Sequence, residues 1–99
     1  MLRRLNLKII TATPDEHDRQ MATSQALVHF IGRGLTALDL KSQEISTPDY
    51  EALLRMNVLV QNNTWQLFYD MMRYNPYSNT LRKKFLRNIA SIQKKIHKR

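Results

Sequence analysis

The 99 residues contain no cysteine. A disulfide framework and a thiolate metal site are therefore excluded, and a reducing, cytoplasmic setting is the natural expectation. Apolar runs are short, and none approaches the roughly 20 residues that a membrane span needs. Glycine is scarce: two residues, Gly32 and Gly34, sit inside a helical pattern. With no third glycine and no preceding strand they are not a dinucleotide-binding fingerprint. Acid is absent from the last eighteen residues, where Arg82 to Arg99 carry eight bases. The rest of the chain balances eight bases against eight acids, so the whole net charge of +8 belongs to the last helix and its tail. Bases near a helix C-terminus suit the helix dipole and are most often a solvated face. The first residues, Met1-Leu2-Arg3-Arg4 followed by Asn6 and Lys8, are too polar for the apolar core of a signal peptide.

What is present reads as helix almost throughout. Leu5-Asn6-Leu7-Lys8-Ile9 alternate apolar and polar as a short strand does, and Ile10-Thr11 follow. Thr13, Pro14 and Asp15 then open a long helix expected to run to about Lys41. On an unbroken helix Gln25, His29 and Arg33 fall four apart and share one polar stripe, with Leu27, Ile31, Leu35 and Leu38 on another side. Glycines inside such a helix point to close approach by a neighbour or to a kink. Thr47-Pro48-Asp49 is a helix start, with Tyr50, Leu53, Leu54 and Val58 expected inward. Gln61-Asn62-Asn63-Thr64 either exposes one turn or breaks the helix, which restarts at Thr64. Trp65, Phe68, Met71 and Met72 then resume a face that reads as core or interface. Asn75-Pro76 stops it. Ser78 or Asn79 is placed to cap a last helix lined by Leu81, Phe85, Ile89, Ile92 and Ile96. His17, His29 and His97 have no metal-ligand spacing, and no serine–histidine arrangement stands out.

The chain resembles a known family along most of its length. Glu16-His17-Asp18-Arg19, Ser24-Gln25-Ala26-Leu27 and His29-Phe30-Ile31-Gly32-Arg33 look like the opening of the C-terminal helical domain of the prephenate/arogenate dehydrogenases, NAD(P)-dependent oxidoreductases of tyrosine biosynthesis. The likeness continues through residues 45–54, Leu67-Phe68-Tyr69-Asp70 and Tyr74-Asn75-Pro76-Tyr77.

The resemblance implies an all-α fold of three to four helices. This is the dimerisation domain of the 6-phosphogluconate-dehydrogenase C-terminal-like type, with a short N-terminal strand remnant. Residues 1–13 would be the end of a nucleotide-binding domain and linker, and residues 14–99 the helical dimerisation and substrate-binding domain. It implies a homodimer whose subunits complete each other's clefts, and a cyclohexadienyl carboxylate as substrate. His29 and Arg55 are then substrate contacts, with Arg33 and Gln25 beside them, while Glu16, His17 and Asp18 form a structural signature at the domain junction. A planar guanidinium at Arg55 suits a carboxylate. NAD or NADP would be held by the nucleotide-binding domain, so this chain alone binds no cofactor and catalyses nothing. Two other readings stand beside this one: a small basic helical module that binds nucleic acid through residues 82–99, and a regulator that pairs with a complete dehydrogenase.

Overall fold

Thr13 is extended and its hydroxyl accepts the Glu16 N–H at 3.1 Å, so the first helix starts where its cap residue and Pro14 direct. The computed structural model describes residues 11–98; the strand pattern of residues 5–10 lies outside them. Helix α1 (Pro14–Met21) runs into a π-helical segment (Ala22–Leu27) and on into α2 (Val28–Thr36), one continuous rod with its middle wound wide. The rod ends at Thr36 rather than near Lys41. The Leu38 and Asp39 N–H groups turn back to the carbonyls of Leu35 and Thr36 at 3.0 and 3.1 Å. Asp39 then takes a left-handed backbone (φ 52°), which a short polar side chain tolerates.

An irregular connection leads to Thr47, whose hydroxyl accepts the Tyr50 N–H at 3.1 Å and starts α3 (Pro48–Gln61). The chain breaks at Asn62 and Asn63 and restarts under the Thr64 cap as α4 (Trp65–Tyr74), with Leu67 N–H 3.1 Å from the Thr64 hydroxyl. Asn75 is extended before Pro76, as the clash with a following proline ring requires. Helix α5 (Ser78–His97) follows. Its N-cap position is Tyr77, without a side-chain cap, and neither Ser78 nor Asn79 serves there. The Ser78 hydroxyl instead donates back to the Met72 carbonyl at 2.6 Å.

The described residues form an all-α fold with no strand. Its core is small: Ala22, Ala26, Val60, Phe68 and Met72 are its buried apolar residues, with Phe30 and Met71 packed beside them. Helix α2 lies on α3, where Gly32 gives room to the methyls of Val60. The face of α3 that turns inward therefore carries Asn57 and Val60, and Val58, expected inside, is 56% exposed. The Oδ1 of buried Asn57 accepts from the Thr36 hydroxyl at 3.1 Å. Helix α5 meets the π segment and α4, but from Leu86 onward it projects, leaving Leu86, Ile89, Ile92 and Ile96 about half exposed. The radius of gyration, 16.7 Å, exceeds the value of about 13 Å for a compact chain of this length.

Candidate functional site

The charged signature lies on α1, where the turn Asp15–Asp18 is strapped to the α4–α5 corner. Asn75 Nδ2 donates to the Asp18 carbonyl at 2.8 Å, and Asn75 Oδ1 accepts the Tyr77 N–H at 2.9 Å. The Tyr77 hydroxyl donates to the Asp15 carboxylate, and that hydrogen bond, above all, raises the phenol's pKa. His17 Nδ1 stands 3.4 Å from Asp18 Oδ1 at an exposed position, and Glu16 is half-buried beside them. Asn75 and Tyr77 entered the sequence reading as a helix stop and part of a motif. Their partners lie 57 and 62 residues away, too far for any local pattern to reveal.

Three hollows among the described residues take in Gln25, Arg33 and Arg55, and His29 lines none of the three. A polar cleft of about 190 Å³ between the first rod and α4 is lined by His17, Asp18, Gln25, Asp70, Tyr74 and Asn75, with Met21 and Met71 at its base. An apolar groove of about 430 Å³ runs between α2 and α5, over Phe30, Ile31, Leu35, Phe68, Phe85 and Ile89, with Arg33 at its wall. A third, open hollow of about 450 Å³ holds Arg55 with Glu51, Leu54, Val58, Leu59 and Asn62 on α3. Gln25 thus sits with His17 and Asp18, away from Arg33, and Arg55 shares its hollow with none of the other candidates. The π segment changes the winding between Gln25 and His29, and Gln25 and Arg33 line different hollows rather than one stripe.

His29, in the first turn of α2, is half-buried. Burial, chiefly, and the charge of Arg33 hold its pKa below the ordinary histidine value. At neutral pH the ring is therefore uncharged, with one nitrogen to donate and one to accept. Arg33 donates from Nη2 to the Asn63 carbonyl at 2.5 Å, and its Cζ lies 4.2 Å from the centre of the Trp65 ring.

Neither glycine offers a phosphate cradle. A Cβ at Gly32 would meet Val60, and both glycines lie mid-helix, where their N–H groups are turned along the helix axis. The described residues do not fit a dinucleotide. Among them there is also no cluster of three or more metal-ligating side chains, and no helix is long and apolar enough to cross a membrane.

A family model described as "TYRAAT1-like, C-terminal domain" matches residues 34–99. The chain is 39% identical over 61 residues to "Arogenate dehydrogenase 1, chloroplastic" of Arabidopsis thaliana, covering 62% of this chain and 10% of that protein. To "Arogenate dehydrogenase 2, chloroplastic" of the same plant it is 33% identical over 69 residues, covering 70% and 19%. A "Probable arogenate/prephenate dehydrogenase" of Methanocaldococcus jannaschii is 26% identical over 98 residues, covering 92% and 22%. The chain thus spans between 10% and 22% of the length of these curated relatives. Together with the helices and their caps, these matches make the chain a member of the TYRAAT1-like C-terminal domain family, a C-terminal domain of the arogenate/prephenate dehydrogenases.

Proposed function

We propose that this chain is the self-association and substrate-side domain of an arogenate or prephenate dehydrogenase of tyrosine biosynthesis, working in a reducing compartment such as the cytoplasm. The observation that carries the reading is kinship to relatives so named over most of the chain. In the complete enzyme NAD+ or NADP+, held by another domain, would supply the hydride acceptor for a cyclohexadienyl carboxylate whose loss of CO2 restores aromaticity. The nicotinamide is held outside these helices, and positioning is what this domain adds. His29, uncharged and half-buried, donates a hydrogen bond to the substrate's hydroxyl or carboxylate. Arg55, exposed on α3, pairs with the carboxylate, and Gln25 adds a polar contact. Among the described residues Arg55 lies in the hollow on α3 and His29 does not line it; the pair works across two protomers in this proposal.

Self-association is supported by the small core, the extended shape and the apolar side chains left outside. Trp65 and Tyr69 stack at 5.8 Å on the exposed side of α4, and Leu86, Ile89, Ile92 and Ile96 stripe α5. A large exposed apolar surface of this kind marks an interface. Light scattering at micromolar protein is expected to give a dimer mass; a clean monomer would count against the proposal. In a dehydrogenase carrying this domain, His29→Ala and Arg55→Ala are each expected to raise KM for the carboxylate substrate at least tenfold, about 1.4 kcal/mol of binding. Unchanged kinetics would remove both residues from the site.

A further inference from the structure

Arg33 lies four residues beyond His29 on α2, and its guanidinium is already engaged. Nη2 reaches the Asn63 carbonyl, just past the end of α3, at 2.5 Å. The Cζ lies 4.2 Å from the centre of the Trp65 ring and 5.8 Å from that of Phe68. The Nε is buried and has no hydrogen-bond partner among the described residues. A planar guanidinium laid on an indole face is held by the ring quadrupole. An arginine that receives a carboxylate through two parallel bonds must present an open edge, either Nε with one Nη or both Nη together. Here the Nε edge is closed and one Nη is committed to the backbone.

We infer that Arg33 is a positioning residue: pinned to the Asn63 carbonyl and the Trp65 face, it anchors α2 on the α3–α4 corner and so fixes where His29 stands. The functional side of this rests on the reading of His29 as a substrate contact, whereas the clamp itself does not. The clamp also has an electrostatic consequence. Burial comes first in lowering the His29 pKa, and Arg33 is the charged group that adds to it. His29 therefore meets a ligand as a neutral hydrogen-bonding group.

The test uses the chain itself, as wild type, Arg33→Met and Arg33→Lys, with two readouts. Trp65 is the sequence's single tryptophan, so its emission reports the clamp directly. The His29 ring is followed by NMR titration, its signal assigned by its loss in His29→Gln. Arg33→Met is expected to shift the Trp65 emission to the red and move the His29 titration up toward the ordinary histidine value. Arg33→Lys, which keeps a cation but not the fork, is expected to fall between the two. A folded Arg33→Met with both readouts unmoved overturns the inference. Should that variant fail to fold, an Arg33→Lys identical to wild type in emission and titration does the same. A raised KM for the carboxylate substrate in a dehydrogenase bearing Arg33→Met, with emission and titration unmoved, would make Arg33 an anion ligand instead. Neither readout needs substrate or nicotinamide, so an absent dehydrogenase activity would sink the proposed function and leave this result standing.

Discussion

Two glycines two residues apart should respond oppositely to the same added methyl. At Gly34 a Cβ meets nothing within 4 Å, so Gly34→Ala keeps only the helix-propensity gain, about 0.8–1 kcal/mol. At Gly32 the Cβ would lie 2.5 Å from Val60 Cγ1, 3.0 Å from Cγ2 and 3.3 Å from Cβ, whereas carbon atoms pack best at about 3.5–4.0 Å. Val60 is fully buried, and a β-branched side chain has little χ1 freedom with which to retreat. Relief therefore requires α2 and α3 to part by about an ångström. Overpacking of this sort costs about 1–3 kcal/mol, which cancels or exceeds the propensity gain. The expected net for Gly32→Ala is a loss of about 0–2 kcal/mol. For a domain of this size about 1 kcal/mol moves Tm by roughly 4–8 °C. Gly34→Ala should thus melt above wild type by about one such step, and Gly32→Ala at or below wild type. Calorimetry at one fixed protein concentration keeps any self-association equal among variants. Adding Val60→Ala to Gly32→Ala should then cost less than it does in wild type, a favourable coupling in the double-mutant cycle. A Gly32→Ala protein as stable as Gly34→Ala, or a cycle with no coupling, would refute the packing argument.

Ser78→Ala should cost about 1–3 kcal/mol in urea denaturation, because the buried hydroxyl both donates to the Met72 carbonyl at 2.6 Å and accepts from Arg82 Nη1 at 2.5 Å. Thr47→Ala should cost about 1 kcal/mol by leaving the Tyr50 N–H uncapped, and the two losses should add, since the sites share no partner. The pH dependence follows from His29. Its folded-state pKa is depressed, so on acidification the unfolded chain takes up a proton before the folded one does. Stability therefore falls as pH drops through the ordinary histidine range and stops falling on this account below the folded pKa. Urea midpoints measured between pH 7 and 5 should show a smaller loss for His29→Gln than for wild type; equal losses would refute the assignment.

Local chemistry was legible at several helix ends, though not at Ser78, whose hydroxyl turns back to the Met72 carbonyl instead of capping α5. Thr13, Thr47 and Thr64 each cap an N–H three residues on, and Asn75 before Pro76 is barred from continuing a helix. Facing was less legible. Helix α3 is apolar at positions 53, 54, 58, 59 and 60, too much of its circumference for the pattern to single out one side. The choice is made elsewhere, by the space at Gly32 that admits Val60 and by the Thr36 hydroxyl that donates to Asn57. The Arg33 clamp on Asn63 and the Asn75 strap on Asp18 bridge 30 and 57 residues, and no spacing rule announces either.

The stripe expected along the first rod diverged from the sequence expectation at the π segment Ala22–Leu27. A π turn closes its hydrogen bonds at i→i+5, so it acts as a one-residue insertion in an α-helix. At 3.6 residues per turn, one inserted residue turns everything before it by about 100° relative to everything after. Gln25 lies inside that insertion, and His29 and Arg33 lie beyond it. This phase change accompanies the separation of Gln25, in the cleft with His17 and Asp18, from Arg33, at the wall of the apolar groove. A wide turn is costly unless packing holds it, and here Ala22 and Ala26 are small enough to be buried beneath it, both at 2% exposure or less. Enlarging either residue would press on the wide turn and favour the ordinary helix, which would swing Gln25 back toward the His29 side. Ala26→Leu, which inserts three carbons where Phe68 and Met72 close the core, should therefore disturb α1 and α2 together. If amide exchange in that variant rises only around residue 26, the two halves of the rod are not coupled through the π turn, and their separate facings have some other cause.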